Sequence, residues 1–126
     1  DSMKRKQFVK GTEQIAQEGA IQIFKVPNSG MEEVIVGVVG TLQFDVLEFR
    51  LKSEYNVDIR MEHLPYQYIR WVENEDLDVT QLTLTSDSRR IEDLDGKRLL
   101  LFVNSWSVDW AIDHNKGLQL SEFSRN

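Results

Sequence analysis

The sequence predicts an α+β fold, an antiparallel sheet with helices packed on it, and three observations predict it. Helix-like and strand-like segments follow in the order α-β-β-α-β-β-(α)-β-β-α-β. A strand–strand–helix–strand unit recurs loosely, over residues 20–64 and again over residues 89–123. No linker interrupts the chain: seven Gly and two Pro are scattered through 126 residues. Two such halves in one sheet give a ferredoxin-like α-β plait or an elaborated plait. Residues 1–126 are therefore expected to form a single domain.

The first helix is predicted over Met3–Gln17, where Phe8, Thr12 and Ile15 fall at helical spacing, Ser2 can cap the start and Gly19 ends it. Ala20–Val26 is expected as a strand with Ile21 and Ile23 on one face. Pro27-Asn28-Ser29-Gly30 forms the loop of a hairpin whose second strand is Glu33–Val39. That strand is apolar on both faces, the pattern of a central strand covered on two sides. Gly40-Thr41 turns into a helix over Leu42–Tyr55.

This second helix has two apolar stripes. Leu42, Val46 and Phe49 form one, which is expected to face the sheet. Phe44, Leu47 and Leu51, extended by Tyr55, form the other. A helix apolar on two sides is gripped on two sides. The second stripe needs the first helix or another domain, so Phe44, Leu47 and Leu51 are the candidate domain interface, part of it near the surface.

Val57–Leu64 alternates as a half-buried strand, with Val57, Ile59, Met61 and His63 inward, until Pro65-Tyr66 breaks it. Tyr68–Glu73 is a further strand. Asp76–Leu84 is ambiguous, because Val79, Thr80, Thr83 and Thr85 weaken a helical pattern. Arg89–Glu92 is expected as a strand, Asp93–Gly96 as a turn and Leu99–Val103 as a buried strand. Ser105 is the expected cap of a helix from Trp106 to about Asn115, with Trp106 and Trp110 on one core-facing side. Gly117 ends it before a last strand over Leu118–Phe123.

Composition excludes several classes. No Cys is present, so neither a disulfide framework nor a thiolate zinc site can form, which suits a cytoplasmic location. The longest apolar runs are too short to span a bilayer, so no membrane partner is expected, and no apolar stretch of a signal peptide follows Met3. A net charge of −6 argues against a uniformly basic nucleic-acid binder.

No phosphate loop or dinucleotide fingerprint occurs. Asp93-Leu94-Asp95-Gly96 imitates D-x-x-G but has the chemistry of a turn, and Asn115-Lys116 lacks the acid of N-K-x-D because Leu118 stands in its place. His63 is expected as a satisfied, partly buried histidine, and His114 as a cation near a helix end. Neither belongs to a metal set or nucleophile motif, so no catalytic, cofactor or metal residue is assigned.

The cations are unevenly placed. Lys4, Arg5, Lys6 and Lys10 crowd the start of the first helix, where each opposes the helix dipole at roughly 0.3–1 kcal/mol if exposed. They are either a solvated helix start or phosphate contacts. Lys6 and Lys10, at i, i+4, share a face and are the candidate pair for phosphate.

At the second strand and its helix the residues become recognisable. Gly37-Val38-Val39-Gly40-Thr41-Leu42-Gln43-Phe44-Asp45-Val46, then Arg50-Leu51-Lys52-Ser53-Glu54-Tyr55-Asn56-Val57, resembles the signature of bacterial peptide-chain release factor three. Gly11-Thr12-Glu13-Gln14-Ile15 with Glu18-Gly19-Ala20, Leu64-Pro65-Tyr66 with Arg70-Trp71-Val72, and Met3-Lys4-Arg5-Lys6-Gln7 are similar to its flanking segments. The resemblance runs strongly from Met3 to Val72, weakens from Asn74 to Arg90 and returns loosely from Asp95 to Phe123. Thr12 and Ile69 depart from the Leu and Ala usual there.

The resemblance implies the C-terminal domain of a translational GTPase whose GTPase and β-barrel domains precede it. Such a protein binds GTP and GDP, whereas this part of it holds no cofactor and no catalytic residue. The implied role is docking on the small ribosomal subunit, on rRNA and protein, while the whole factor drives class I release factors off after peptide release. The alternative reading is a stand-alone plait that binds a regulatory ligand. An enzyme using His63 with a nearby acid is a further rival.

Overall fold

A computed structural model describes residues 2–19, 21–27 and 34–123. The chain divides into two compact units, Asp1–Glu62 and His63–Asn126. Both mix helices with antiparallel strands, so the expected α+β class holds.

In the first unit, α1 (Ser2–Gln17) leads to β1 (Gln22–Lys25), which pairs antiparallel with β2 (Val34–Gly37), and α2 (Leu42–Tyr55) follows. Ser2 lies within α1 rather than capping it, and Gly19 at φ +83° ends it as expected. Of the loop expected at 27–30, residues 28–30 lie outside the described residues. β2 is not the doubly covered strand that its composition predicts. Only Ile35 is buried, and among the described residues the strand pairs on one side, with β1.

The core of this unit is Ile15, Ile21, Ile23, Leu47, Leu51 and Val57, with Phe8, Val36 and Tyr55 packed against it. Leu51 is wholly buried, whereas Phe49 keeps 70% of its surface. The stripes of α2 are thus reversed from expectation. Leu47 and Leu51 sit in the unit's own core, Phe44 is half-buried, and Leu42, Val46 and Phe49 face outward. The physical reason is α1. Gly11 lies so close to α2 that an added Cβ would come within 2.7 Å of Leu51 Cδ2 and 2.9 Å of Tyr55 Cδ2. Only the Leu47–Leu51 stripe can fill that helix–helix contact.

α2 ends in a left-handed Asn56 at φ 54°, with the Val57 amide donating to Leu51 O at 2.9 Å and the Asn56 amide to Lys52 O at 3.1 Å. After it, Val57, Ile59 and Met61 turn inward and Asp58, Arg60 and Glu62 outward, as alternation predicts. No ladder forms there, however, so the expected strand over Val57–Leu64 is an extended segment, and His63 is exposed rather than inward.

In the second unit, β3 (Tyr68–Val72), β4 (Arg89–Asp93), β5 (Arg98–Phe102) and β6 (Leu120–Ser121) pair antiparallel in the order β4-β5-β3-β6. α3 (Ser105–His114) lies between β5 and β6 in sequence. The ambiguous 76–84 segment contains one 3-10 turn, Val79–Gln81, started by Asp78, whose carboxylate accepts from the Thr80 amide at 3.0 Å.

Leu99, Leu100, Leu101 and Phe102 are all buried, so β5 is the strand covered on both faces. Leu100 and Phe102 share a core with Leu82, Val108, Ala111 and Leu118. Asn104, not Ser105, caps α3: its Oδ1 accepts from the Ser107 amide at 2.8 Å and from Ser107 Oγ at 2.9 Å.

Candidate functional site

The basic face of α1 is the first candidate surface. Lys4, Arg5, Lys6 and Lys10 are all exposed. Arg5, Lys6, Val9, Lys10, Glu13, Gln14 and Gln17 line one shallow, open groove, so the helix brings Lys6 and Lys10 together as their spacing predicts.

Lys4 has a different job. Its Nζ donates to Asn56 O at 2.6 Å, at the C-terminal cap of α2. Further along, Gly11 meets Leu51 and Tyr55, and Glu18 meets Arg50, so the two helices run antiparallel. Lys4, which opposes the dipole of α1, therefore stands beside the negative end of α2, which accepts it. Lys6 and Lys10 make no ion pair among the described residues.

Beside the C-terminal end of α1, Arg50 of α2 binds two carboxylates. Its Nη1 donates to Glu18 Oε1 at 2.6 Å and its Nη2 to Glu18 Oε2 at 3.0 Å. Its Nε donates to Glu54 Oε2 at 2.7 Å. The guanidinium holds both carboxyls below the usual glutamate range, and they raise the guanidinium in turn. Sequence reading missed this cluster. The i, i+4 spacing of Arg50 and Glu54 was visible, but Glu18 joins only through the antiparallel helix contact.

The outward stripe of α2 is the second surface. Leu42 is 73% exposed and Val46 45%, and with Phe49 they form an apolar strip at helical spacing, while Val39 is exposed in the bend that precedes the helix. Phe44, Leu47 and Leu51 do not supply that surface, two of them being core.

α3 carries the third. Trp106 is 63% exposed, against the expectation that it packs in the core, because Ser107, Val108 and Ala111 take the inward side. Trp110 stacks on His114, with ring centroids 3.7 Å apart.

The motif fragments have structural uses. Asp93 Oδ1 accepts from the amides of Asp95 and Lys97, both at 2.9 Å, and Gly96 has φ +83°, the geometry of a side-chain-stabilised turn. Asn115 bridges strands of loop: Oδ1 accepts from the Thr83 amide at 2.8 Å and Nδ2 donates to Thr83 O at 2.7 Å. Among the described residues no group of three or more His, Asp or Glu side chains is placed to hold a metal ion. No described helix is long and apolar enough to cross a membrane.

Residues 1–112 match the family described as class II release factor RF3, C-terminal domain. A peptide chain release factor 3 from Symbiobacterium thermophilum is 41% identical over 118 residues, which cover 94% of this chain and 22% of that protein. One from Listeria monocytogenes is 44% identical over 119 residues, again 94% of this chain and 22% of the relative. One from Staphylococcus carnosus is 45% identical over 108 residues, 86% of this chain and 20% of the relative. The chain thus spans about a fifth of the length of these relatives.

Proposed function

Since the chain belongs to the family of class II release factor C-terminal domains, we propose that residues 1–126 act as one docking domain of a translation-termination factor. In this reading the same protein carries a GTPase domain, which binds GTP or GDP, and a β-barrel domain. This domain holds the factor on the small ribosomal subunit while class I release factors leave. The chemistry of nucleotide hydrolysis belongs to the parent protein, in the cytoplasm, and this domain binds no cofactor.

The observation that carries the reading is the family match over residues 1–112, on relatives whose names state peptide chain release. Charge supports a specific contact. In a chain of net charge −6, Lys6 and Lys10 stand exposed on one helical face without an intramolecular ion pair among the described residues. rRNA phosphate is their partner, a contact that positions without reading sequence. The domain interface moves to the exposed strip of Leu42, Val46 and Phe49, with Phe44 at its margin.

The test is ribosome co-sedimentation of the whole release factor across a salt series. Lys6→Glu with Lys10→Glu should weaken binding and flatten its dependence on salt, with nucleotide affinity unchanged. Identical salt curves for variant and parent would return both lysines to a solvated helix start. Micromolar GTP or GDP binding by the 126-residue chain alone would favour the ligand-binding reading instead.

A further inference from the structure

The outward face of α3 presents two parallel rows of side chains, of which Trp106 is exposed and Trp110 half-buried. Trp106, Trp110 and His114 follow each other at i, i+4, i+8, and Asp109 and Asp113 form the adjoining row, also four apart. Asp109 and Asp113 are exposed and form no ion pair among the described residues. The Trp110 and His114 rings lie 14° from parallel, and His114 Nδ1 is 2.8 Å from Trp110 O, so these two rings support each other beside Trp106. No Lys or Arg occurs within α3.

An exposed tryptophan beside two carboxylates selects its partner by chemistry. A phosphate would meet two negative charges. An apolar helix would strip water from both carboxylates without pairing them. A guanidinium satisfies both rows at once: its plane lies on an indole face while its N–H groups reach the carboxylate one row away. We propose that this face of α3 is a docking surface for an arginine-rich segment of a protein partner, with a guanidinium on Trp106 and its neighbours in that segment paired to Asp109 and Asp113. The surface lies in the second unit and does not rest on the reading of Lys6 and Lys10.

The probe is a synthetic peptide of alternating Arg and Gly, titrated calorimetrically into the 126-residue chain. Trp106→Ala, and separately Asp109→Asn with Asp113→Asn, should each weaken binding by about tenfold. A charge-matched control, Glu75→Gln with Asp76→Asn, alters two other exposed acids of the same unit and should leave the affinity unchanged. If the control weakens binding as much as the α3 pair, the attraction is general charge and the proposal falls. It falls equally if Trp106→Ala binds like the parent, or if a short RNA displaces the peptide from this face.

Discussion

Each unit sets an antiparallel strand pair ahead of a helix, β1–β2 before α2 and β4–β5 before α3, yet the two helices bury different things. α2 buries Leu47 and Leu51 in a contact that α1 shapes through Gly11, and it leaves Leu42, Val46 and Phe49 in water. α3 buries only small or short side chains, Ser107, Val108 and Ala111, over a strand that is itself buried at four successive residues. The first unit is therefore held by helix against helix, the second by β5. The same order of elements gives two kinds of core because α2 turns two leucines inward, whereas α3 keeps its tryptophans off the inward side and leaves the large buried residues to β5.

The sharpest way to break this contrast is in α2. Leu51→Ala removes a wholly buried side chain and should cost roughly 2–5 kcal/mol, while Phe49→Ala, on the outward stripe, should cost less than about 1 kcal/mol. Denaturant melts of the two variants measure the difference, and a larger loss for Phe49→Ala would restore the stripe assignment that composition suggests.

Gly11→Ala tests the helix contact itself. Alanine favours a helix interior by up to about 1 kcal/mol, but its Cβ would press on Leu51 and Tyr55. Leu51 Cδ2 is a side-chain end that can give way, but the Tyr55 atoms belong to a rigid ring, so a net loss of about 1–2 kcal/mol is expected. A stabilised variant would mean that the approach of α1 to α2 is loose.

In the second unit, Asn104→Ala should lower stability by about 0.5–2 kcal/mol by removing the cap of α3, and Ser105→Ala should change it by less than about 0.5 kcal/mol. Thermal melts of the pair decide which residue caps the helix.

The smallest effect concerns acid. Glu18 and Glu54 have folded pKa values below their unfolded ones because Arg50 binds both. Their contribution is complete above the unfolded value, about 4.3, and is lost as the pH falls through the depressed folded values. Arg50→Gln should make Tm fall less steeply than the parent's below about pH 4.3. Some steepness should persist, since Asp78 in the second unit is lowered in the same sense by Thr80. Parallel curves would show that the cluster is too well solvated to matter.

What the sequence disclosed follows from the range of the forces involved. Periodicity found α1, α2 and α3 almost to the residue, because an amphipathic repeat is a local signal. It could not say which stripe of α2 faces inward, since both are apolar and the choice is made by a glycine 40 residues upstream of Leu51. The alternation over Val57–Met61 correctly gave inward and outward sides, but pairing requires a neighbour that alternation cannot supply. Lys6 and Lys10 were legible as a face. The role of Lys4 was not, because its partner is a carbonyl 52 positions away. Trp106 was expected inward because large aromatic residues usually are, and the inward space had already gone to Val108 and Ala111.

Asn74 shows how an amide side chain can stand in for a strand. Its Oδ1 accepts from the Gln119 amide at 2.7 Å, its Nδ2 donates to Gly117 O at 2.8 Å, and its own carbonyl accepts from Arg98. β6 has only two residues on its ladder with β3, and beyond the Glu73 amide, which donates to Gln119 O at 2.9 Å, the Asn74 side chain carries the attachment on to Gly117. The consequence is one of timing. The segment from Gly117 to Ser121 is expected to act as a separate latch that opens and recloses while β3, β4 and β5 stay paired. Amide hydrogens of Gln119 and Leu120 should exchange with solvent deuterium well before those of Leu100 and Leu101, and Asn74 sets how long that latch stays shut.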